Sequence, residues 1–324
     1  MGRVVPTRGS ISLCAVDRHG ANLPWVNYGG DFGANVWHPE GGLAARDLTT
    51  LHRALKQAAR AGAETIRWFV LCDGRAGLIT DRAGAPTGLQ DAVLADMATA
   101  LDALASYGLR MMPVLFDFTW TRPAQLVNGV QIGGRAGVLR DPVTRHQLWR
   151  AVDPLLAAFG SHPGIACWDV WNEPEWMCAA WTSPGRRLTR GLVRRCLGEL
   201  VLHVRWHTRQ PVTVGLASAR GLGLCRHLDL DLLQVHWYDH LERRSPLAPI
   251  PQAPWSRAPI LLGEFPTRGS TRDVDTIVGA TRDAGYAGAW PWSLLASDGS
   301  TDGDAALRAI AAGRRDARPS SHDT

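Results

Sequence analysis

Two glutamates each close a short apolar run: Glu173 ends Trp168-Asp169-Val170-Trp171-Asn172-Glu173, and Glu264 ends Ile260-Leu261-Leu262-Gly263-Glu264. A carboxyl at the end of a buried run is partly withdrawn from water, and a second carboxyl nearby sets like charge against it. Both effects favour the neutral form of one member of the pair. Two such groups can divide the cleavage of a glycosidic bond: one attacks the anomeric carbon, the other protonates the leaving oxygen and then deprotonates water. Retention of configuration requires carboxyls about 5–5.5 Å apart. Further polar residues interrupt or close comparable runs. Arg67 lies inside residues 65–71, where a charge is costly unless paired. Asp117 follows residues 110–116, Asn172 precedes Glu173, His236-Trp237-Tyr238 closes the sixth run, and Trp290 and Trp292 lie in the last.

The elements that must position these groups follow from the runs themselves. Eight strand-length stretches, residues 25–28, 65–71, 110–116, 165–171, 212–216, 232–236, 260–263 and 287–293, are nearly continuous in apolar character. That pattern predicts parallel strands covered on both faces. Amphipathic stretches over 48–61, 91–107, 143–159, 187–208, 272–284 and 304–312 separate them, and the connections after the fifth and sixth runs are the weakest. Gly62, Gly108 and Gly285 sit just past helix ends, where a left-handed cap needs no Cβ. The expectation is α/β: a single (β/α)8 TIM barrel over residues 1–312, with 313–324 a disordered tail. No G-x-G-x-x-G follows the first run, which argues against a dinucleotide site. In such barrels chemistry sits at the C-terminal ends of the strands, and the ends of the fourth and seventh strands face each other across the mouth. Asn27, Asp31, Asn35, His38, Asp73 and Arg75 follow the first two runs as weaker candidates.

Composition narrows the alternatives. The chain has 324 residues, 45% of them hydrophobic, enough for one large core. The net charge of +5 comes from arginines scattered along the chain, with Lys56 the only lysine, so no nucleic-acid partner is expected. Fourteen tryptophans are many. Trp37, Trp120, Trp176 and Trp181 fall in the expected top loops, where a flat apolar face with one N–H donor suits a sugar ring; core packing is the competing use. The Gly-rich stretch 118–141 could wall one side of the cleft. Six cysteines show no C-x-x-C pair and read as reduced thiols. No apolar leader core and no membrane-length run is present, so no membrane partner is expected; the location expected is cytoplasmic, or secreted if a signal has been removed.

Here the motifs become specific. Trp168-Asp169-Val170-Trp171-Asn172-Glu173-Pro174 resembles the fourth-strand signature of clan A glycoside hydrolases, in particular the cellulase-like glycoside hydrolase family 5. Leu261-Leu262-Gly263-Glu264-Phe265 is similar to that family's seventh-strand nucleophile motif, and His236-x-Tyr238 to its sixth-strand motif. The resemblance implies Glu173 as acid/base, Glu264 as nucleophile, Asn172 on the sugar 2-hydroxyl, Tyr238 and Arg67 supporting the nucleophile, and Trp292 as the floor of the −1 subsite. It also implies no metal or organic cofactor and a β-linked gluco- or manno-configured substrate. The family's usual His near the end of strand three is missing; Asp117 or Trp120 is expected in its place.

Rival readings remain open. Transglycosylation, or cleavage of a small glycoconjugate, uses the same chemistry. A non-catalytic sugar-binding barrel would require loss of a carboxylate, yet both are present. A metal-dependent hydrolase is disfavoured because the eleven histidines show no H-x-H pattern. Sugar, linkage, endo or exo action and oligomeric state are not written in the sequence.

Overall fold

The computed structural model describes residues 18–178, 188–240 and 247–315. Its main sheet has eight parallel strands in sequential order: β1 Gly20–Asn22, β2 Thr65–Phe69, β3 Arg110–Asp117, β4 Trp168–Asn172, β5 Val212–Leu216, β6 Leu233–His236, β7 Ile260–Pro266 and β8 Ala289–Trp292. Helices α1 Thr49–Ala61, α2 Asp91–Ala105, α3 Ala136–Arg140, α4 Pro142–Ala151, α5 Asp153–Phe159, α6 Arg190–His207, α7 Val274–Ala284 and α8 Gly303–Arg315 lie around it. The barrel closes through Asn22, whose Nδ2 donates to Pro291 O (3.2 Å) and Gly263 O (2.8 Å) while its carbonyl accepts from Leu294 N (2.9 Å). The expected (β/α)8 barrel is the fold.

Three boundaries differ from expectation. The first strand is Gly20–Asn22, not residues 25–28. It is too short and too polar to register as an apolar run, and Gly20 is required because a Cβ there would lie 2.4 Å from the Trp290 ring. Residues 25–28 instead run past the strand end as a loop. The stretch 143–159 is two helices, broken at Val152, because Pro154 cannot donate to the carbonyl four residues back. At the far end α8 continues to Arg315, so residues 313–315 are helical rather than tail; 316–324, Cys14 and Trp181 lie outside the described residues. Gly62 and Gly285 adopt the expected left-handed caps, at φ 101° and 90°.

The barrel interior is layered. At its floor Met112, Leu261 and Trp290 from β3, β7 and β8 pack with Cys167 and Leu232, which lead directly into β4 and β6. Two residues further along the strands, side chains from alternate strands turn polar: Arg67 on β2, Asp169 on β4 and Gln234 on β6 are all fully buried. Outside the barrel wall, Trp171 packs with Phe116, Trp120 and Trp149 under the helices. The five described cysteines are free thiols, and among the described residues no helix is long and apolar enough to cross a membrane.

Candidate active site

Side chains alternate along a strand with a period of two, so one extra residue reverses which face a side chain takes. Two such irregularities shape the site. Between β4 and β5 the partners step from Asp169↔Thr213 to Asn172↔Gly215, three residues against two. Between β6 and β7 they step from Val235↔Leu262 to His236↔Glu264, one against two. Cys167 and Asp169 point inward, so strict alternation would send Asn172 outward; the bulge brings it in. Leu261 packs in the floor, and the bulge at Gly263 likewise turns Glu264 into the barrel.

The resulting cleft, of about 470 Å³, opens at the C-terminal ends of the strands. Its walls include Asp117, Asn172, Glu173, Tyr238, Glu264 and Trp292. Beneath it Arg67 uses its whole guanidinium. Nε donates to Asp169 (2.9 Å), Nη1 to Asn22 Oδ1 (3.0 Å) and to Glu264 Oε1, and Nη2 to Asn172 Oδ1 (2.7 Å). A buried arginine is tolerated here because each edge of the fork meets an acceptor. Its bond to Asn172 Oδ1 also fixes the amide orientation. One N–H of Asn172 then goes to Asp117 Oδ2 (2.7 Å), leaving the second for a ligand.

Glu264 Oε2 accepts from Tyr238 OH (3.2 Å) and lies 3.5 Å from His236 Nδ1. The same Nδ1 is 2.9 Å from Glu173 Oε1, while Glu173 Oε2 accepts from Trp176 Nε1 (2.9 Å). An oxygen of each glutamate and a ring nitrogen of His236 all lie within 4.8 Å of one another. The histidine tautomer follows from its far side. Gln234 Nε2 donates to Asp169 (3.1 Å) and faces His236 Nε2 at 3.3 Å, so Nε2 accepts and Nδ1 carries the proton toward Glu173. Burial lowers His236 to about 4, so the ring is neutral at physiological pH. Burial pushes Glu173 up to about 7 against the pull of Trp176, Arg67 and Arg122, and burial with Glu173 nearby pushes Glu264 up against Arg67. Asp117 is raised to about 6, also by burial. Glu173 is held at φ 49°, the left-handed region that non-glycine residues seldom occupy, with its N–H bonded to Gly215 O (2.6 Å).

Aromatic residues shape the remainder. Trp292 lines the cleft, anchored by its Nε1–H to Asp298 (2.8 Å) and met edge-on by Trp25 (6.3 Å) and Phe69 (6.2 Å). Trp290, two residues back, is wholly buried in the floor. Trp120 does not line the cleft: it is completely buried against Phe116 and bonds Cys72 O through Nε1 (2.7 Å), so of the two residues expected there only Asp117 lines it. Trp37 stacks behind Tyr28 and donates to Val127 O, and it is Tyr28 that lines the cleft. Trp176 touches Glu173 rather than the open cleft. Of the weaker candidates, Arg75 lines the cleft in a buried pair with Asp73, while Asp31 caps its own loop by accepting from Val26 N, Asn27 N and Trp68 Nε1. Phe118, Thr119 and Arg122, from the stretch after β3, line the cleft, and none of that stretch's glycines does.

Sequence reading did not single out Asn22, Asp169, Gln234 or Arg122. The first three share the signal that exposed Arg67, a polar side chain inside a strand; Asn22 was hidden by the misplaced first strand. Glu173, His236 and Glu264 could also hold a cation, which would occupy the oxygens that the carboxyls need for acid and nucleophile work.

No family model matches the chain. A mannan endo-1,4-beta-mannosidase of Mytilus edulis is 23% identical over 316 residues, covering 85% of this chain and 82% of the relative. The crystal structure of an endo-1,4-beta-mannanase from Eisenia fetida superposes with a TM-score of 0.73 at 20% identity, over 92% of this chain and 90% of that one. A family 5 glycoside hydrolase of Streptomyces cattleya, solved with Manβ1-4GlcNAc, gives 0.66 at 17% identity over 84% and 77%. At these identities the structural likeness carries the fold.

Proposed function

We propose that this chain, a glycosyl hydrolase with the clan A barrel of cellulase-like glycoside hydrolase family 5, is a retaining β-glycoside hydrolase acting on a manno-configured substrate. The observation that carries the mechanism is the approach of Glu173 and Glu264. An oxygen of each lies within 4.8 Å of the other, which suits the close carboxyl pair of a retaining enzyme rather than the separation of about 6.5–9.5 Å that an inverting pair keeps for its attacking water.

Glu264 Oε attacks the anomeric carbon as the glycosidic C–O bond breaks, and Glu173 gives its proton to the departing oxygen. Water then gives one of its own protons to Glu173 as its oxygen attacks the same carbon, releasing Glu264. Arg67 and Tyr238 hold Glu264 in line. His236, neutral and donating from Nδ1, fixes the Glu173 carboxyl. The free N–H of Asn172 meets the sugar hydroxyl beside the reacting carbon, and Trp292 carries the flat face of the ring. The manno preference rests on the relatives, whose names describe action on mannan.

The decisive experiment is aryl-glycoside hydrolysis over β-mannosides, β-glucosides, β-galactosides and β-xylosides, together with mannan, for wild type, Glu264→Ala and Glu173→Ala. Glu264→Ala should lose turnover on every substrate. Glu173→Ala should lose about 10²–10⁴-fold, most on poor leaving groups that need the proton. Full activity in Glu264→Ala would refute the nucleophile assignment. A preference for β-glucosides over β-mannosides would refute the sugar.

A further inference from the structure

On the outer layer of the barrel α5 and α6 bring together three ligating groups that the cleft does not use. His203 and His207 stand one turn apart on α6, so helix geometry sets both imidazoles on one face, with ring centroids 5.3 Å apart. Asp153, the first residue of α5, reaches across: its Oδ1 lies 2.7 Å from His203 Nε2 and 3.4 Å from His207 Nε2. The three ligand atoms all lie within 4.8 Å of one another. Their side chains keep 28%, 17% and 23% of their surface for Asp153, His203 and His207, so an ion reaches them without opening the protein.

We infer that Asp153, His203 and His207 form a binding site for one transition-metal dication of the zinc or nickel class, which clamps α5 to α6. Two imidazole nitrogens and one carboxylate oxygen suit such ions, whereas magnesium and calcium prefer oxygen alone. Ligand atoms about 3.3 Å apart surround a tetrahedral ion with bonds of about 2.0 Å, and the observed 2.7 and 3.4 Å bracket that spacing. Arg150 Nε holds the other oxygen of Asp153 at 2.8 Å, leaving Oδ1 aimed at the histidines. That contact orients the ligand in the manner of an outer-shell partner. His207 is the last residue of α6, where the negative end of the helix dipole favours a cation. That end leads into the start of β5, opposite the cleft, so the ion acts on stability and not on glycoside cleavage.

The test uses the full chain stripped with a chelator, then followed by titration calorimetry and thermal unfolding with zinc, nickel, magnesium and calcium ions. Zinc and nickel should each bind and raise the melting temperature, an effect reversed by chelator; magnesium and calcium should leave it unchanged. His203→Ala and His207→Ala should each weaken zinc binding by more than about 10-fold, the least loss expected when even an outer-shell group is removed. Both variants should keep wild-type glycoside hydrolysis. Zinc stabilisation that survives in His207→Ala but disappears in Glu173→Gln would place the ion in the cleft and overturn the inference. Absence of binding heat and of any melting shift would do the same.

Discussion

At the scale of single residues, the site is a contest between burial and compensation. Glu173, pushed up to about 7 by burial, holds its proton below that pH and loses it as pH rises through it. The first step of the proposed mechanism needs that proton, so kcat/KM should fall by about tenfold per pH unit above the transition, as a pH–rate profile would show. The bond from Trp176 Nε1 favours the carboxylate, which fixes the sign of a second prediction. In Trp176→Phe the pKa of Glu173 rises and the descending limb moves to higher pH. A limb that stays in place or moves down would mean that the tryptophan only packs. Arg67→Met leaves Asp169 and Glu264 buried without their cation. Breaking one partner of a buried pair costs about 3–5 kcal/mol, so chemical denaturation should show a lower midpoint, with activity lost as well.

At the scale of elements, glycines let the polar layer exist inside a barrel. A Cβ on Gly215 would lie 2.7 Å from Gln234 Nε2, 2.8 Å from Arg67 Nη2 and 2.9 Å from Asp169 Oδ2. Gly263 stands against Gln234 in the same way, at 2.5 Å. Strand glycines usually weaken a sheet, but here they mark where side chains from neighbouring strands cross the space a Cβ would fill. Gly215→Ala should therefore cost both stability and activity, because its methyl displaces the fork that holds Glu264. A variant with wild-type melting temperature and turnover would contradict this. A similar approach lies above, where a Cβ on Gly221 would meet Glu175 Oε1, the buried carboxyl that ties the turn after β4 to Ala217 N on the chain after β5 (3.1 Å). Burial raises Glu175 to about 8, so it holds a proton at neutral pH and serves as a structural tie.

At the scale of the whole molecule, one short strand decides closure. Asn22 bonds β7, β8 and Arg67 at once, so the seam of the barrel and the support of Glu264 share one side chain. Asn22→Ala strands several buried groups at about 1–3 kcal/mol each. Differential scanning calorimetry should show a melting temperature lower by several degrees, and glycoside turnover should drop with it. Unchanged melting would show that the seam is held by backbone pairing alone.

The repeating units, and the residues proposed here to do the chemistry, were legible in the sequence. Apolar runs with helices between them marked seven of the eight parallel strands, and the residues closing those runs included both glutamates, Asn172, Tyr238 and Trp292. Its failures were physical too. Gly20–Asn22 carried no hydrophobic signal because a tryptophan from β8 supplies the bulk. A tryptophan reads the same in sequence whether it faces the cleft, as Trp292 does, or the core, as Trp120 does. His203 and His207 make no H-x-H pattern, and their common face appears only once the segment is helical. Which way Asn172 and Glu264 point was decided by tertiary structure alone. Alternation along each strand would have turned them outward. The bulges that turn them in arise from register between strands distant in sequence, set where Gly215 and Gly263 leave room for them.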